Sequence, residues 1–137
     1  MVGRRFGCGM EASLDLIAGK WKLLILYHLG GGRQRFGALR RLVGDVSEKI
    51  MSEQLKALTA DGLVRRIDFM TVPPHVEYEL TEFGRGFCES FAAVCEWGSR
   101  NMDQVSAIAA AREQPASKAA SAAGPFTDAE AAAPSLG

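Results

Sequence analysis

The sequence predicts a mainly α-helical domain carrying a small β-ribbon, followed by a low-complexity extension. Three observations lead there. Two short helix-forming stretches are joined by Gly44-Asp45-Val46, two strand-like runs flank Pro73-Pro74, and the composition changes abruptly near residue 105. With 137 residues, 47% of them hydrophobic and 23% charged, the chain has room for one compact domain plus a tail but not for two domains. The same figures exclude a chain disordered throughout and a membrane protein.

In chain order, Glu11 to Ile17 reads as a short amphipathic helix. Lys20 to Leu29 (KWKLLILYHL) reads as an apolar helix closed by Gly30-Gly31-Gly32, where a left-handed cap costs little. Arg33 to Phe36 is a candidate short strand. Gly37 to Val43 forms a brief helix, and the Gly44-Asp45-Val46 turn leads into a second helix from Ser47, a helix-turn-helix candidate. That second helix stops at Asp61-Gly62, with Leu63 expected to pack back on Leu58 in a Schellman-type cap. Leu63 to Phe69 and Val76 to Leu80 follow as the two strands of a ribbon whose tip holds the prolines, because proline cannot donate to a ladder. In the second strand Val76, Tyr78 and Leu80 alternate with Glu77 and Glu79, the pattern of a strand with one face buried.

Thr81 is the expected cap of one long final helix running to about Ala111. Such a helix would span on the order of 45 Å at 1.5 Å per residue, more than so small a domain can cover. Its apolar residues Phe83, Phe87, Phe91, Val94, Trp97 and Met102 therefore read either as a dimer interface or as part of the chain's own core. The expected organisation is residues 1–104 as the folded and dimerising domain and residues 105–137 as an extension. The latter holds 13 Ala and three Pro in 33 residues, too little sizeable apolar surface to offset its ordering entropy, and is expected to be mobile with helix ending before Pro115.

No run approaches the roughly 18 consecutive apolar residues of a membrane span, and the first residues lack a signal-peptide core, so a cytoplasmic location without membrane association is expected. Cys8, Cys88 and Cys95 match neither a disulfide framework nor a zinc site, and His28 and His75 stand apart. No metal and no cofactor is expected.

The zero net charge hides a segregation. Residues 20–66 hold ten basic and four acidic residues, a balance of +6, whereas residues 67–104 hold two basic and seven acidic, a balance of −5. That asymmetry suits a one-sided reader of a polyanion, and equally a solvated helix surface. At 100° per residue, the helix from Ser47 places Ile50, Met51, Gln54, Leu55 and Leu58 on one side and Lys49, Ser52, Glu53 and Lys56 on the other. A cationic face beside a helix N-terminus fits the major groove of duplex DNA, the amides and lysines meeting phosphates. Glu53 then has to accept from a cytosine amino group or point away. The pairs Arg33/Arg35, Arg40/Arg41 and Arg65/Arg66 would flank that helix as phosphate contacts, or serve only solubility. His75, at the ribbon tip, is either a minor-groove contact or an exposed loop residue.

Six strings in one order carry a family resemblance: Cys8-Gly9-Met10-Glu11, GKWKLLILYHL (19–29), RFGALRRLV (35–43), VSEKIMSEQLKALTADGLVRR (46–66), VPPHVEYELTEFG (72–84) and CEWG (95–98). Over about residues 8 to 104 the chain resembles the HxlR-type winged helix-turn-helix transcription regulators. The resemblance implies a homodimeric DNA-binding regulator rather than an enzyme, with the 47–61 helix reading an operator, the 63–80 ribbon as the wing, and dimerisation through terminal helices. The chain departs from the family pattern at Gly9, where Pro is usual, at Glu53, where Gln is common, and at His75, where Arg is common.

At the position of Cys8 several regulators of this type sense oxidants or electrophiles, and the resemblance makes such agents candidate partners. Arg4, Arg5 and the start of a helix favour the reactive thiolate there, although an inert thiol fits the sequence too. Cys88 and Cys95, seven residues apart on the expected single helix, lie too far apart along the axis to bridge each other and read as small buried hydrophobes. Two other functions remain open on sequence alone. One is a winged-helix module that binds an acidic protein instead of DNA; the other, a thiol enzyme using Cys8, lacks a histidine placed to act as its base.

Overall fold

In a computed structural model, which describes residue 3 and residues 5–114, the described chain divides into two compact units after Phe91. The first holds α1 (Gly9–Leu16), α2 (Lys22–Leu29), β1 (Gln34–Arg35), α3 (Phe36–Val43), α4 (Glu48–Ala60), β2 (Val64–Asp68), β3 (Val76–Leu80) and α5 (Glu82–Ser90). The second holds α6 (Ala92–Arg100) and α7 (Met102–Arg112). The fold class is as expected, mainly helical with a small antiparallel sheet. Among the described residues no helix is long and apolar enough to cross a membrane.

The core gathers one stripe from each central helix. Ile25, Leu26 and Leu29 of α2, Leu39 and Val43 of α3, and Met51, Leu55 and Leu58 of α4 meet Leu63, Val64 and Leu80 from the sheet. No polar or charged residue is buried among the described residues, so the core is held by apolar burial. Ile50, expected on the inner side of α4, is instead 36% exposed. It sits in the first turn of the helix.

The caps explain why α4 begins and ends where it does. Ser47 accepts the Ile50 N–H at 3.1 Å through Oγ, satisfying one of the orphan first-turn donors. At the other end Gly62 takes φ +79°, the Leu63 N–H reaches Leu58 O at 3.0 Å and the Gly62 N–H reaches Thr59 O at 3.1 Å. Those two bonds are the Schellman pair, and Leu58 and Leu63 are both fully buried over it. At the end of α2 the left-handed residue is not Gly30, which stays right-handed, but Gly32 at φ +134°.

The sheet order is β1-β3-β2, with Gln34 opposite Tyr78 and Arg65 opposite Glu79. Because two-residue β1 covers its second edge, β3 is a central strand. The expected alternation of an open and a buried face is corrected accordingly: Glu77 and Glu79 are half-buried like Val76 and Tyr78. Arginines from both flanking segments lie over the two glutamates.

The single long terminal helix is not formed. Thr81 does cap α5, its Oγ1 accepting the Gly84 N–H at 3.0 Å, but the chain breaks at Phe91 and again at Asn101. Phe91 closes a tight turn onto Cys88 O at 3.0 Å. Asn101, at φ −114° and ψ 21°, donates to Trp97 O from both its Nδ2, at 2.9 Å, and its backbone N–H, at 3.1 Å. Helix continues to Arg112, whereas the expected stop at Pro115 and the mobile remainder of the extension lie outside the described residues.

Candidate nucleic-acid interface

The helix-turn-helix is formed by α3, the Gly44 turn and α4. Gly44 adopts φ +119°, which a side chain would strain, and Val46 N–H returns to Gly44 O at 2.9 Å. Arg40 stabilises this turn, donating from Nε to Val46 O at 2.7 Å. Its guanidinium is therefore partly committed to the fold, while the adjacent Arg41 is exposed. Arg35, at the N-cap position of α3, is exposed as well.

On α4 the inner stripe is Met51, Leu55 and Leu58, which leaves Lys49, Glu53 and Lys56 exposed and Ser52 half-buried. Ser47 stands at the N-terminal end of the same helix with its hydroxyl occupied as the cap. Gln54, expected on the inner side, is only half-buried, but its Oε1 is enclosed with no hydrogen-bond partner.

The two adjacent arginines of β2 part company. Side chains alternate across a strand, so Arg65 and Arg66 leave on opposite faces. Arg66 joins Ser52, Lys56 and Thr59 of α4 and Tyr78 of β3 around an open groove between the helix and the sheet. Its nearest carboxylate, Asp68 Oδ2, is 3.8 Å from Nη1, so the guanidinium is loosely held. Arg65 is on the other face, its Nε 3.0 Å from Glu79 Oε2. There Arg33 donates from Nε to Glu79 Oε1 at 3.2 Å and lies 3.9 Å from Glu77 Oε1, and His75 Nε2 contacts Glu77 Oε2. The His75 ring also tilts against Phe69, with centroids 4.6 Å apart.

Lys56, Ser52 and Arg66 thus share one concave surface beside exposed Lys49. Arg33 and Arg65, which sequence reasoning grouped with them, sit in ion pairs around β3, and His75 contacts Glu77 there. Arg65 and Arg66, alike as a pair in the sequence, are separated by the fold. The signal was available in the parity of the strand, since Arg66 shares a face with Val64 and Tyr78, and Arg65 with Glu79.

The three cysteines are free thiols. Cys8 is exposed at the N-cap of α1, one residue after Gly7, whose N–H donates to Glu11 Oε1 at 3.1 Å. Arg4 lies outside the described residues. Cys88 packs against the core and its Sγ lies 3.6 Å from Leu26 O. Burial pushes its thiol up, with Arg85 pulling partly the other way. Cys95, expected to be buried, is exposed on α6, and because α5 and α6 are separate helices the single-helix spacing between Cys88 and Cys95 does not apply.

Of the apolar residues expected to face a partner, Phe83 (60%), Val94 (59%), Trp97 (55%) and Met102 (59%) are well exposed. Phe87 packs partly on the core and stacks with half-buried Phe91 at 5.0 Å between centroids.

Comparison with known proteins bears on this arrangement. A model of the HxlR-like helix-turn-helix family matches residues 16–106. The HTH-type transcriptional regulator YtcD of Bacillus subtilis strain 168 is 40% identical over 105 residues, covering 77% of this chain and 83% of the relative. Among solved structures, the redox regulator HypR in its reduced form superposes with a TM-score of 0.68 at 40% identity, covering 73% of this chain and 99% of that one. The diamide-treated form of YodB from B. subtilis superposes with a TM-score of 0.58 at 28% identity, covering 71% and 96%.

Proposed function

The chain belongs to the HxlR-like helix-turn-helix family of transcription regulators, and from that premise we propose that it binds a pseudo-palindromic operator as a homodimer. In this reading α4 lies in the major groove. Lys49, Ser52 and Lys56 face the duplex, Arg66 meets a phosphate from the groove beside them, and Arg35 and Arg41 flank the helix. Glu53, on the same exposed face, accepts from a cytosine amino group. The exposed apolar residues Phe83, Val94, Trp97 and Met102 supply the contact between subunits. The role is recognition rather than catalysis, and the site of action is the cytoplasm, where the DNA is.

The observation that carries the proposal is the exposed Lys49-to-Lys56 face of α4 with Arg66 beside it. A gel shift of duplex from the protein's own promoter tests it. Lys56→Ala is expected to weaken binding by about 5-fold or more and to reduce the slope of log K against log salt by about 1.8, the contribution of one phosphate contact in each of the two subunits. Unchanged affinity and slope would mean that the reading face lies elsewhere. The absence of any salt-sensitive shift with the wild-type protein would instead favour an acidic protein as the partner.

A second reading concerns regulation: operator binding responds to oxidants or electrophiles through Cys8. It is supported by the exposure of that thiol and by the likeness to HypR, a redox regulator. Cys8→Ser is expected to bind the operator normally in reducing buffer and to keep binding after diamide, which releases the wild type. If both proteins respond to diamide alike, another cysteine or none is responsible.

A further inference from the structure

The sheet face that carries Arg33 and Arg65 is less cationic than its arginines suggest, because Glu79 and, at longer range, Glu77 stand against them. Glu79 uses both oxygens, Oε1 to Arg33 Nε at 3.2 Å and Oε2 to Arg65 Nε at 3.0 Å, and so ties the segment before β1 to β2 across central β3. The side chain of Glu79 is 24% exposed, and those of Arg33 and Arg65 are 46% and 58% exposed. Both guanidiniums therefore reach solvent while they share one carboxylate at contact distance, which offsets part of their charge. Glu77, 3.9 Å from Arg33, adds to the offset on one side only. On the opposite face of the same strand pair Arg66 has no carboxylate closer than 3.8 Å among the described residues, and it lies beside α4.

We propose that Glu79 withholds Arg33 and Arg65 from the phosphate backbone, so that Arg66 is the cation β2 offers to DNA and sequence-independent affinity is kept low. The inference rests on the DNA-binding reading above and deepens it. Phosphate contacts add affinity without adding information, because every duplex presents the same backbone. A regulator gains discrimination when cations that do not orient the reading helix are neutralised within the protein. Glu79 is a positioning and charge-offsetting residue here and need not touch DNA itself.

Glu79→Gln keeps the shape and one acceptor oxygen but removes the charge. The test measures binding of a random-sequence duplex and of the operator between 50 and 200 mM KCl. Glu79→Gln is expected to bind the random duplex more tightly at 50 mM and to steepen its salt slope by about 1.8 to 3.6, one to two further phosphates in each subunit of the dimer. That corresponds to a further loss of about 12- to 150-fold across this salt range. The ratio of operator to random affinity should fall. A merely structural role would lower both affinities together and leave the slope unsteepened, which would overturn the proposal. Should Glu79→Gln fail to fold, Arg65→Gln and Arg66→Gln decide the matter in the otherwise unaltered protein. Arg65→Gln is expected to leave the slope unchanged and Arg66→Gln to flatten it by about 1.8, one phosphate contact in each subunit. A slope flattened by Arg65→Gln would show that Arg65 already contacts phosphate and overturn the proposal. Wild-type protein without salt-dependent duplex binding would overturn the DNA-binding reading itself, a failure recognisable because it needs no variant.

Discussion

Arg65 and Arg66 differ in role because one peptide step turns a side chain through the sheet, so that one guanidinium meets Glu79 and the other the groove beside α4. Gly84 shows the same dependence on surroundings more severely. It occupies the first turn of α5, where Thr81 Oγ1 accepts its N–H and donates to Gly62 O, while the Thr81 N–H binds Leu63 O at 3.1 Å. The end of α4, the start of β2 and the start of α5 are thereby laced within a few ångströms. A Cβ on Gly84 would stand 2.0 Å from Leu63 O and 2.9 Å from its carbonyl carbon, so backbone would have to move. Gly84→Ala is expected to cost about 3 kcal/mol or more, read as a lowered urea midpoint, despite the better helix propensity of alanine. Gly86→Ala, two residues on, has open space for its Cβ and is expected to be neutral or stabilising by up to about 1 kcal/mol. Equal effects of the two substitutions would show that propensity, not the contact with Leu63, governs the helix start.

Among the elements, those defined by local chemistry were legible in the sequence. The Ser47 cap, the Asp61-Gly62-Leu63 stop and the period-2 run at 76–80 each depend on residues within a few positions of one another, and α4, β2 and β3 lie where those signals put them. The terminal helix was not legible to the same degree. Apolar spacing from Phe83 to Met102 is compatible with one long helix, and no Pro or Gly cluster announces the breaks at Phe91 and Asn101. At Phe91 the chain closes a tight turn onto Cys88, and at Asn101 the backbone leaves helical angles at φ −114° and ψ 21°. Strand β1 is a further case. Two residues specify little alone, yet their pairing makes β3 a central strand and converts Glu77 and Glu79 from an open face into the hub of an ion-pair network.

For the whole molecule the charge segregation of +6 against −5 pointed to a one-sided reader, and family membership makes that reader a transcription regulator. A dimer with two α4 helices requires half-sites about one helical turn apart, roughly 34 Å centre to centre. Inserting five base pairs between the half-sites is expected to turn them to opposite sides of the duplex and to reduce affinity by about 100-fold or more, the loss of simultaneous engagement, while a ten-base-pair insertion does so less. Equal affinity for all three duplexes in a gel shift would mean that the two reading helices do not act together.

Fold class, the helix-turn-helix with its caps, and the family can be read along the chain, because hydrophobic period, capping chemistry and turn residues act over short stretches of it. Tertiary structure alone decided which cations are free. Arg33 meets Glu79 across 46 residues of sequence, Arg40 spends its Nε on the turn, and Arg66 rather than Arg65 stands next to Lys56. Charge is carried by the residue, but its availability to a ligand is set by whatever the fold brings within about 4 Å of it, and that distance has no counterpart along the chain.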